Sequence, residues 1–320
     1  MCGIAGIFLN KEGNSNINIS NILDKMAIHI KNRGPDNTNK WISSDNFFGT
    51  VHTRLSIIGL GESGNQPMIS HNGRYVMSFN GEIYNFLILK EELKNLFDVK
   101  WLGKSDSEVL LEGISLLGLD KFISKIEGMY AIALWDKKLK NLTLVRDRIG
   151  EKPLYFGRIK NDYFESICFS SDIGSFTNLN KSKLDMDDFS IYEFINNGWI
   201  KGSKTIYKNI HKVLPGEYIV ISQNQNDDNF IIKRKKYWKI NYSFYEKNAT
   251  SDFEKEINEL NIFLIKILKQ QIFSDRKMGI FLSGGLDSSL IASIIRKELN
   301  VPIQCFTCGF ENELNSRNYR

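Results

Sequence analysis

A chain of 320 residues with 42 % hydrophobic residues is long enough for about two domains with ordinary cores. Its formal charge of +5 is spread along the sequence, so there is no concentrated patch for nucleic acid. No apolar run approaches the ~18 residues that span a bilayer, and no basic segment precedes a cleavable apolar one. Four scattered cysteines, Cys2, Cys168, Cys305 and Cys308, are too few for a disulfide framework. The expectation is a soluble, cytoplasmic protein with neither a membrane nor a nucleic-acid partner.

The chain opens on Met1 and Cys2-Gly3-Ile4-Ala5-Gly6-Ile7-Phe8, where small and apolar residues alternate as in a strand buried on both faces. If Met1 is removed, Cys2 carries a nucleophilic thiol and its own α-amine, whose unperturbed pKa of about 8 suits a general base. Arg54, within Val51-His52-Thr53-Arg54-Leu55-Ser56-Ile57, places a guanidinium in a β-type run, and its fork suits bidentate binding of a carboxylate. After a strand-like run at 75–79 come Asn80-Gly81-Glu82. They read either as a hairpin turn or as a side-chain amide and a backbone N–H that could stabilise an oxyanion. Asp106, in Gly103-Lys104-Ser105-Asp106-Ser107-Glu108, either caps a helix or accepts an ammonium group; the two roles are compatible.

Further along, 106–118 and 184–196 have helical periodicity, while 129–135 and 142–146 read as strands. Strands at 218–221 and 230–232 flank a polar stretch at 223–229, predicted as a hairpin loop. The basic run Lys233-Arg234-Lys235-Lys236 is expected to be a solvated strand end or edge. A linker is predicted at 242–251. The helix predicted at 252–273 carries Ile257, Leu260, Leu264, Ile267, Leu268 and Gln271 on one drifting face, a pattern for helix packing.

An apolar strand at 278–282 then meets Ser283-Gly284-Gly285-Leu286-Asp287-Ser288-Ser289, and a helical stretch at 290–299 follows. Such a junction aims unpaired N–H groups and a helix dipole at one point, with glycines that admit close approach, so it suits phosphate. No lysine follows the glycines, which excludes the Walker-type loop. Cys305 and Cys308 are spaced C-x-x-C inside a second predicted buried strand, 301–310. Residues three apart on a strand face opposite ways, so a shared metal is not expected.

Taken together, these motifs resemble the glutamine-hydrolysing asparagine synthetase family along the whole chain. The resemblance is carried by Cys2-Gly3-Ile4, Arg33-Gly34-Pro35-Asp36, Arg54-Leu55-Ser56-Ile57, Gln66-Pro67-Met68 and Asn80-Gly81-Glu82-Ile83-Tyr84-Asn85. It continues through Ser105-Asp106-Ser107-Glu108, Gly128-Met129-Tyr130-Ala131, and Arg146-Asp147-Arg148 followed by Gly150 and Lys152-Pro153-Leu154-Tyr155. Leu214-Pro215-Gly216, Tyr237-Trp238 and the loop Ser283 to Ser289 complete the series. Asn32, Gly59 and Asp172 depart from the family's usual histidine, aspartate and glutamate.

The resemblance implies an α+β fold. A class II glutamine amidotransferase domain would occupy 2–240, its catalytic core at about 2–190 being an N-terminal-nucleophile hydrolase αββα sandwich. The start of a parallel-sheet, Rossmann-like ATP-pyrophosphatase domain would follow at 251–320. It further implies Cys2 as nucleophile, Asn80 and Gly81 as oxyanion hole, and Arg54, Asn80, Glu82 and Asp106 as glutamine-binding residues. Leu282, Ser283, Gly284, Gly285, Asp287, Ser288, Ser289 and Cys308 would bind ATP, with Asp287 organising Mg²⁺ and pyrophosphate. The implied activity is hydrolysis of glutamine and ATP-driven amidation of aspartate, and a homodimer is compatible with it. One βαβ unit cannot cover both faces of a parallel sheet, so the chain is expected to be a fragment with only the glutaminase half complete. The alternatives are a related amidotransferase with another acceptor, an enzyme of the β-lactam-synthetase type, and a silent relic serving as an interaction module.

Overall fold

The computed structural model describes residues 1–10, 17–160, 164–179, 184–224, 229–243 and 252–309. They fall into two compact units, Met1–Ile240 and Asn241–Arg320. The predicted loop at 223–229 and the linker at 242–251 lie partly outside the described residues.

In the first unit one antiparallel sheet runs in the order β10 (Ile210–Lys212), β8 (Tyr155–Lys160), β9 (Glu165–Ser170), β1 (Gly3–Leu9), β3 (Phe48–Arg54) and β2 (Asn37–Ile42). A second runs β12 (Phe230–Lys236), β11 (Glu217–Gln223), β7 (Asn141–Arg146), β6 (Gly128–Asp136), β5 (Tyr75–Ile83) and β4 (Met68–Ile69). Strand periodicity explains how they stack. From β1, Ile4 and Phe8 enter the core between the sheets, while Ala5, Ile7 and Leu9 face an outer core under α1 (Ile19–Ile30). From β6, Ala131, Ala133 and Trp135 enter the same inner core; Tyr130, Ile132 and Leu134 pack under α2 (Phe86–Leu96), α3 (Asp106–Leu117) and α4 (Leu119–Ile123). Phe48 stacks on Trp135 at 4.4 Å between ring centroids, locking the sheets face to face. The result is the α+β sandwich of layers αββα. Both faces of each sheet are covered, which is why β1 and β6 read as near-continuous apolar runs.

The basic run lies on β12, an edge strand with Lys233, Arg234, Lys235 and Lys236 exposed. The strand is longer than the predicted 230–232 and includes those charges, a common protection of a sheet edge. The helix predicted from 184 begins later, as α6 (Asp188–Asn197), after α5 (Gly174–Thr177). Leu184 packs instead against the outer core beneath α1, and Met186 forms a β-bridge to Tyr207.

The second unit begins with α7 (Phe253–Gln271), capped by Asp252, whose Oδ1 accepts the Lys255 N–H at 3.1 Å. Parallel strands β13 (Gly279–Phe281) and β14 (Gln304–Phe306) flank α8 (Leu286–Lys297). Leu268, Ile294 and Ile295 are buried where α7 meets α8, but Ile257 and Leu260 are exposed, so only the C-terminal part of the predicted face packs. The two strands are shorter than predicted and are not buried, Phe281 being 81 % and Phe306 48 % exposed. A two-stranded sheet backed by one helix cannot enclose them. Of the C-x-x-C pair only Cys305 lies on a strand; Cys308 follows it, and both are exposed and free. Cys308 therefore lies past the strand whose alternation was expected to part the two sulfurs. Among the described residues, no group of three or more His, Cys, Asp or Glu is placed to hold a metal ion.

Candidate active site

One end of the sandwich gathers the terminal residues of several elements. Cys2 precedes β1, Arg54 ends β3, β5 closes with Asn80, Gly81, Glu82 and Ile83, and α3 starts at Asp106. The register Gly3↔Thr53 sets Cys2 beside the residues after β3, where the Leu55 N–H donates to the Cys2 sulfur at 3.3 Å. Polar links tie the two sheets together near this end. Thr50 Oγ1 lies 2.8 Å from Ser78 Oγ, and His52 Nε2 lies 3.0 Å from the Phe79 carbonyl. Burial holds His52 at a pKa of about 4, so the ring is neutral and Nε2–H is the donor. Cys2, Arg54, Asn80, Gly81, Glu82 and Asp106, all expected from the sequence, line one pocket.

Asn80 and Gly81 do not form a hairpin turn. They lie on β5, opposite Ala131 and Tyr130 of β6. Strand N–H groups alternate between the two edges. The Phe79 N–H goes to Gln66 Oε1 at 2.6 Å and the Ile83 N–H to Asp106 Oδ2 at 3.0 Å. The Gly81 N–H, midway between them, therefore points to that same edge, away from β6. Beside it, Asn80 Nδ2 is buried without a hydrogen-bond partner. A buried amide left unpaired costs about 1–3 kcal/mol, and here it stands next to a second donor in the wall of a pocket. That pair can donate to a negative oxygen. A Cβ on Gly81 would come within 2.1 Å of the Met129 carbonyl oxygen, so no larger residue fits this strand pair.

The charges divide by sign. Arg54 is buried, and its Nη1 donates to Gly61 O and Asn65 Oδ1 at 2.9 Å each, while Nη2 donates to Gly59 O. All three are neutral acceptors, so the cation is oriented but not neutralised. Gly59 (φ +66°) adopts a backbone that the family's usual aspartate would find strained. Asp106 is buried, and burial pushes its carboxyl up to about 6 despite hydrogen bonds from Ile83 and Ser107. Glu82 is also pushed up, first by burial and then by the Asp106 charge. Two buried carboxylates, one of them raised by the other's charge, have a use for a cation between them. The Cys2 thiol is likewise pushed above its ordinary value, chiefly by burial, against the Leu55 hydrogen bond; it needs a base to ionise. Cys168 is no rival nucleophile, since complete burial in the outer core drives it to about 12.

Three polar side chains of the lining had no role in the sequence reading: Gln66, Ser107 and Lys152. Gln66 secures β5 through the Phe79 N–H, and its Nε2 lies 3.4 Å from Ser107 Oγ. Both residues sit in motifs quoted above, so the sequence carried the signal without the contact that explains it.

In the second unit, Leu282, Ser283, Gly284 and Gly285 follow β13, and Gly285 caps α8. Gly284 has φ +80° and nothing lies near its Cβ position, which leaves the backbone open to a ligand. Ser283 Oγ lies 3.1 Å from Ser288 Oγ, and the Leu282 N–H donates to Phe306 O at 2.8 Å. Asp287 is the second residue of α8, Ser289 the fourth, and Cys308 follows β14. The expected residues therefore cluster at the carboxyl ends of two parallel strands, where ligands of α/β sheets bind. Helix N–H groups, hydroxyls and an open glycine fit a polyphosphate.

Comparison with known proteins agrees with both units. The family model described as a glutamine amidotransferase domain matches residues 1–238, and that of asparagine synthase matches residues 259–319. The chain belongs to the glutamine-hydrolysing asparagine synthetase family. A putative asparagine synthetase [glutamine-hydrolyzing] 2 of Methanocaldococcus jannaschii is 30 % identical over 100 % of this chain and 62 % of its own length. Asparagine synthetase [glutamine-hydrolyzing] 1 of Bacillus subtilis is 30 % identical over 98 % of this chain and 46 % of its own. Amidase chry2 of Gibberella zeae is 30 % identical over 92 % and 43 %. The chain thus spans about half the length of the family members it matches. In fold it is similar to a glutamine phosphoribosylpyrophosphate amidotransferase from B. subtilis, at a TM-score of 0.52 and 17 % identity, covering 100 % of this chain and 68 % of that one.

Proposed function

We propose that the first unit hydrolyses glutamine to glutamate and ammonia. The observation that carries this reading is the buried, unpartnered Asn80 amide beside the Gly81 N–H, in one pocket with the Cys2 sulfur. With Met1 removed, the α-amine of Cys2 takes the thiol proton and sulfur attacks the amide carbon of glutamine. The developing oxyanion accepts from Asn80 Nδ2 and the Gly81 N–H. The C–N bond then breaks, the amine returns its proton to the leaving ammonia, and a glutamyl thioester remains. Water, deprotonated by the same amine, releases glutamate and restores the thiol. Arg54 would hold the substrate carboxylate, and Asp106 with Glu82 its ammonium. The protein should release glutamate from glutamine; none above the uncatalysed rate would overturn the assignment. Arg54→Lys should raise KM for glutamine about tenfold or more with a smaller effect on kcat, because it keeps the charge but loses the fork. The reverse pattern would remove Arg54 from the carboxylate site.

We further propose that the ammonia serves an ATP-dependent ligase reaction of the whole enzyme, with the carboxylate of aspartate as acceptor. ATP would adenylylate the acceptor with loss of pyrophosphate, and ammonia would displace AMP. Leu282 to Ser289 and Cys308 would hold the nucleotide, with Asp287 assisting Mg²⁺ on the pyrophosphate. Cys308 is an exposed reporter of that site. In a Cys305→Ser protein, Mg²⁺ and ATP together should slow alkylation of Cys308 as followed by peptide mass spectrometry. An unchanged rate at saturating nucleotide would sink the nucleotide assignment. Pyrophosphate release that depends on aspartate, rather than on another amino acid, tests the acceptor.

A further inference from the structure

The motif that begins at Arg146 has no part in the chemistry above, yet two adjacent charged residues fold over it. The completely buried Asp147 carboxylate accepts the N–H groups of Gly150 (2.6 Å) and Glu151 (2.9 Å) on Oδ1 and that of Lys152 (2.9 Å) on Oδ2. The Arg146 guanidinium donates to Gly150 O (2.7 Å), Lys152 O (2.9 Å) and Val213 O (2.9 Å). Both backbone groups of Lys152 are thus gripped by charged partners, the strong kind of hydrogen bond. The residue is only 4 % exposed, and it lines the pocket with Cys2 and Glu82. Lys152 Nζ lies 3.2 Å from Met1 Sδ, a thioether with no charge to offer. Among the described residues no carboxylate stands within 4.0 Å of this ammonium. Burial pulls this ammonium below its ordinary value while the Glu82, Glu151 and Asp147 charges oppose the shift. Without a direct ion pair it is costly to bury, and here it is held against the chain terminus.

We infer that Lys152 is a positioning residue for the glutaminase: its fixed ammonium beside the terminus keeps the α-amine of Cys2 in the neutral form that acts as base. The inference rests on the reading of Cys2 as a nucleophile served by its own amine. Excision of Met1 removes the thioether and brings the new amine to the pocket. The charged groups around it are Arg33, whose Nε donates to Cys2 O at 3.2 Å, Glu82 from β5, Arg54 from β3 and Asp106 from α3. Glu151 accompanies Lys152 on the same turn. The two carboxylates of the pocket favour a protonated amine, so cations are needed to oppose them. Burial, with Arg33 and Lys152 assisting against Cys2 and Glu82, already holds the amine of Met1 below its ordinary value.

The test is Lys152→Met, which replaces a buried charge by an apolar chain of similar length, compared with Lys152→Arg. Loss of the cation should move the acid limb of kcat/KM upward by about one pH unit or more. That is a roughly tenfold loss below neutrality, recovered at high pH, and Lys152→Arg should restore the wild-type limb. The amine can also be read without catalysis. In a Cys2→Ser protein lacking Met1, the pH midpoint for acylation of the terminal amine should rise when Lys152 becomes Met. Lys152→Gln serves for both measurements should Lys152→Met not fold. An unmoved midpoint, or equal loss of activity at every pH, overturns the inference. Full glutaminase activity in Cys2→Ala would instead overturn the reading on which it rests, and the amine titration would still stand.

Discussion

Cys2→Ala, and equally a wild-type chain that keeps Met1 behind an uncleavable tag, releases no glutamate from glutamine above background. Each change removes a different half of the same device. Alanine takes away the sulfur; the tag converts the α-amine of Cys2 into an amide, which cannot accept a proton. The thiol is raised by burial and so is mostly protonated near neutrality, which makes the base as necessary as the nucleophile. The loss should therefore be several orders of magnitude in both cases. Cys2 sits at the open end of its sheet, with its sulfur near Leu55 and outside the packed cores, so melting temperature and circular dichroism should be little changed. Mass spectrometry of the active protein should show Met1 absent. Full turnover with Met1 or a tag retained would disprove the amine's role and leave Cys2 needing another base.

Asn80→Ala lowers kcat about 10²-fold or more, with little change in KM. The amide has no partner in the free protein, so it contributes nothing to the ground state that the substitution would remove. Its hydrogen bond forms as the carbonyl oxygen gains charge, and a single oxyanion donor is worth about 2.7–4 kcal/mol of barrier. Gly81 supplies the second donor and should preserve residual activity. The control is built into the same strand: Ser78, also on β5, is engaged with Thr50 across the sheets, and its loss should reduce stability before turnover. If Asn80→Ala raised KM and spared kcat, the amide would be a ground-state binding group and the oxyanion assignment would fall.

Much of this pocket was legible because its residues are chemically unambiguous and each closes a recognisable run. Cys2 follows Met1, Arg54 ends an apolar strand, and Asp106 sits in a capping sequence where Ser105 accepts the Glu108 N–H at 3.3 Å. The Asn80-Gly81 pair was ambiguous because that dipeptide is the strongest hairpin signal in a sequence. Only the partner strand decides the matter, and β6 pairs with β5 as far as Gly128↔Ile83. Lys152 was illegible for another reason. Its significance lies in the carboxylate of Asp147 and the guanidinium of Arg146 turning back onto its backbone, and no periodicity reports that. In the second unit the strand–loop–helix order was clear, but burial was overread. Apolar runs such as 278–282 and 301–310 state what a strand could cover, while the two-stranded sheet leaves Phe281 and Phe306 uncovered.

The place of β1 in its sheet bears on how the protein is made. It is an inner strand, bonded on one side to β3 and on the other to β9, with Ala5 opposite Val51 and Ser170. The chain emerges from the ribosome N-terminus first, so the first residues wait for a neighbour that is synthesised some 165 positions later. Such a distant pairing has a high contact order and forms late. Throughout that interval the first strand lacks one of its two neighbours, and the segment before it stays accessible. Under the proposed mechanism, late incorporation of the first strand would leave the residues before Cys2 open to processing and would delay the reactive thiol until the fold is in place to control it.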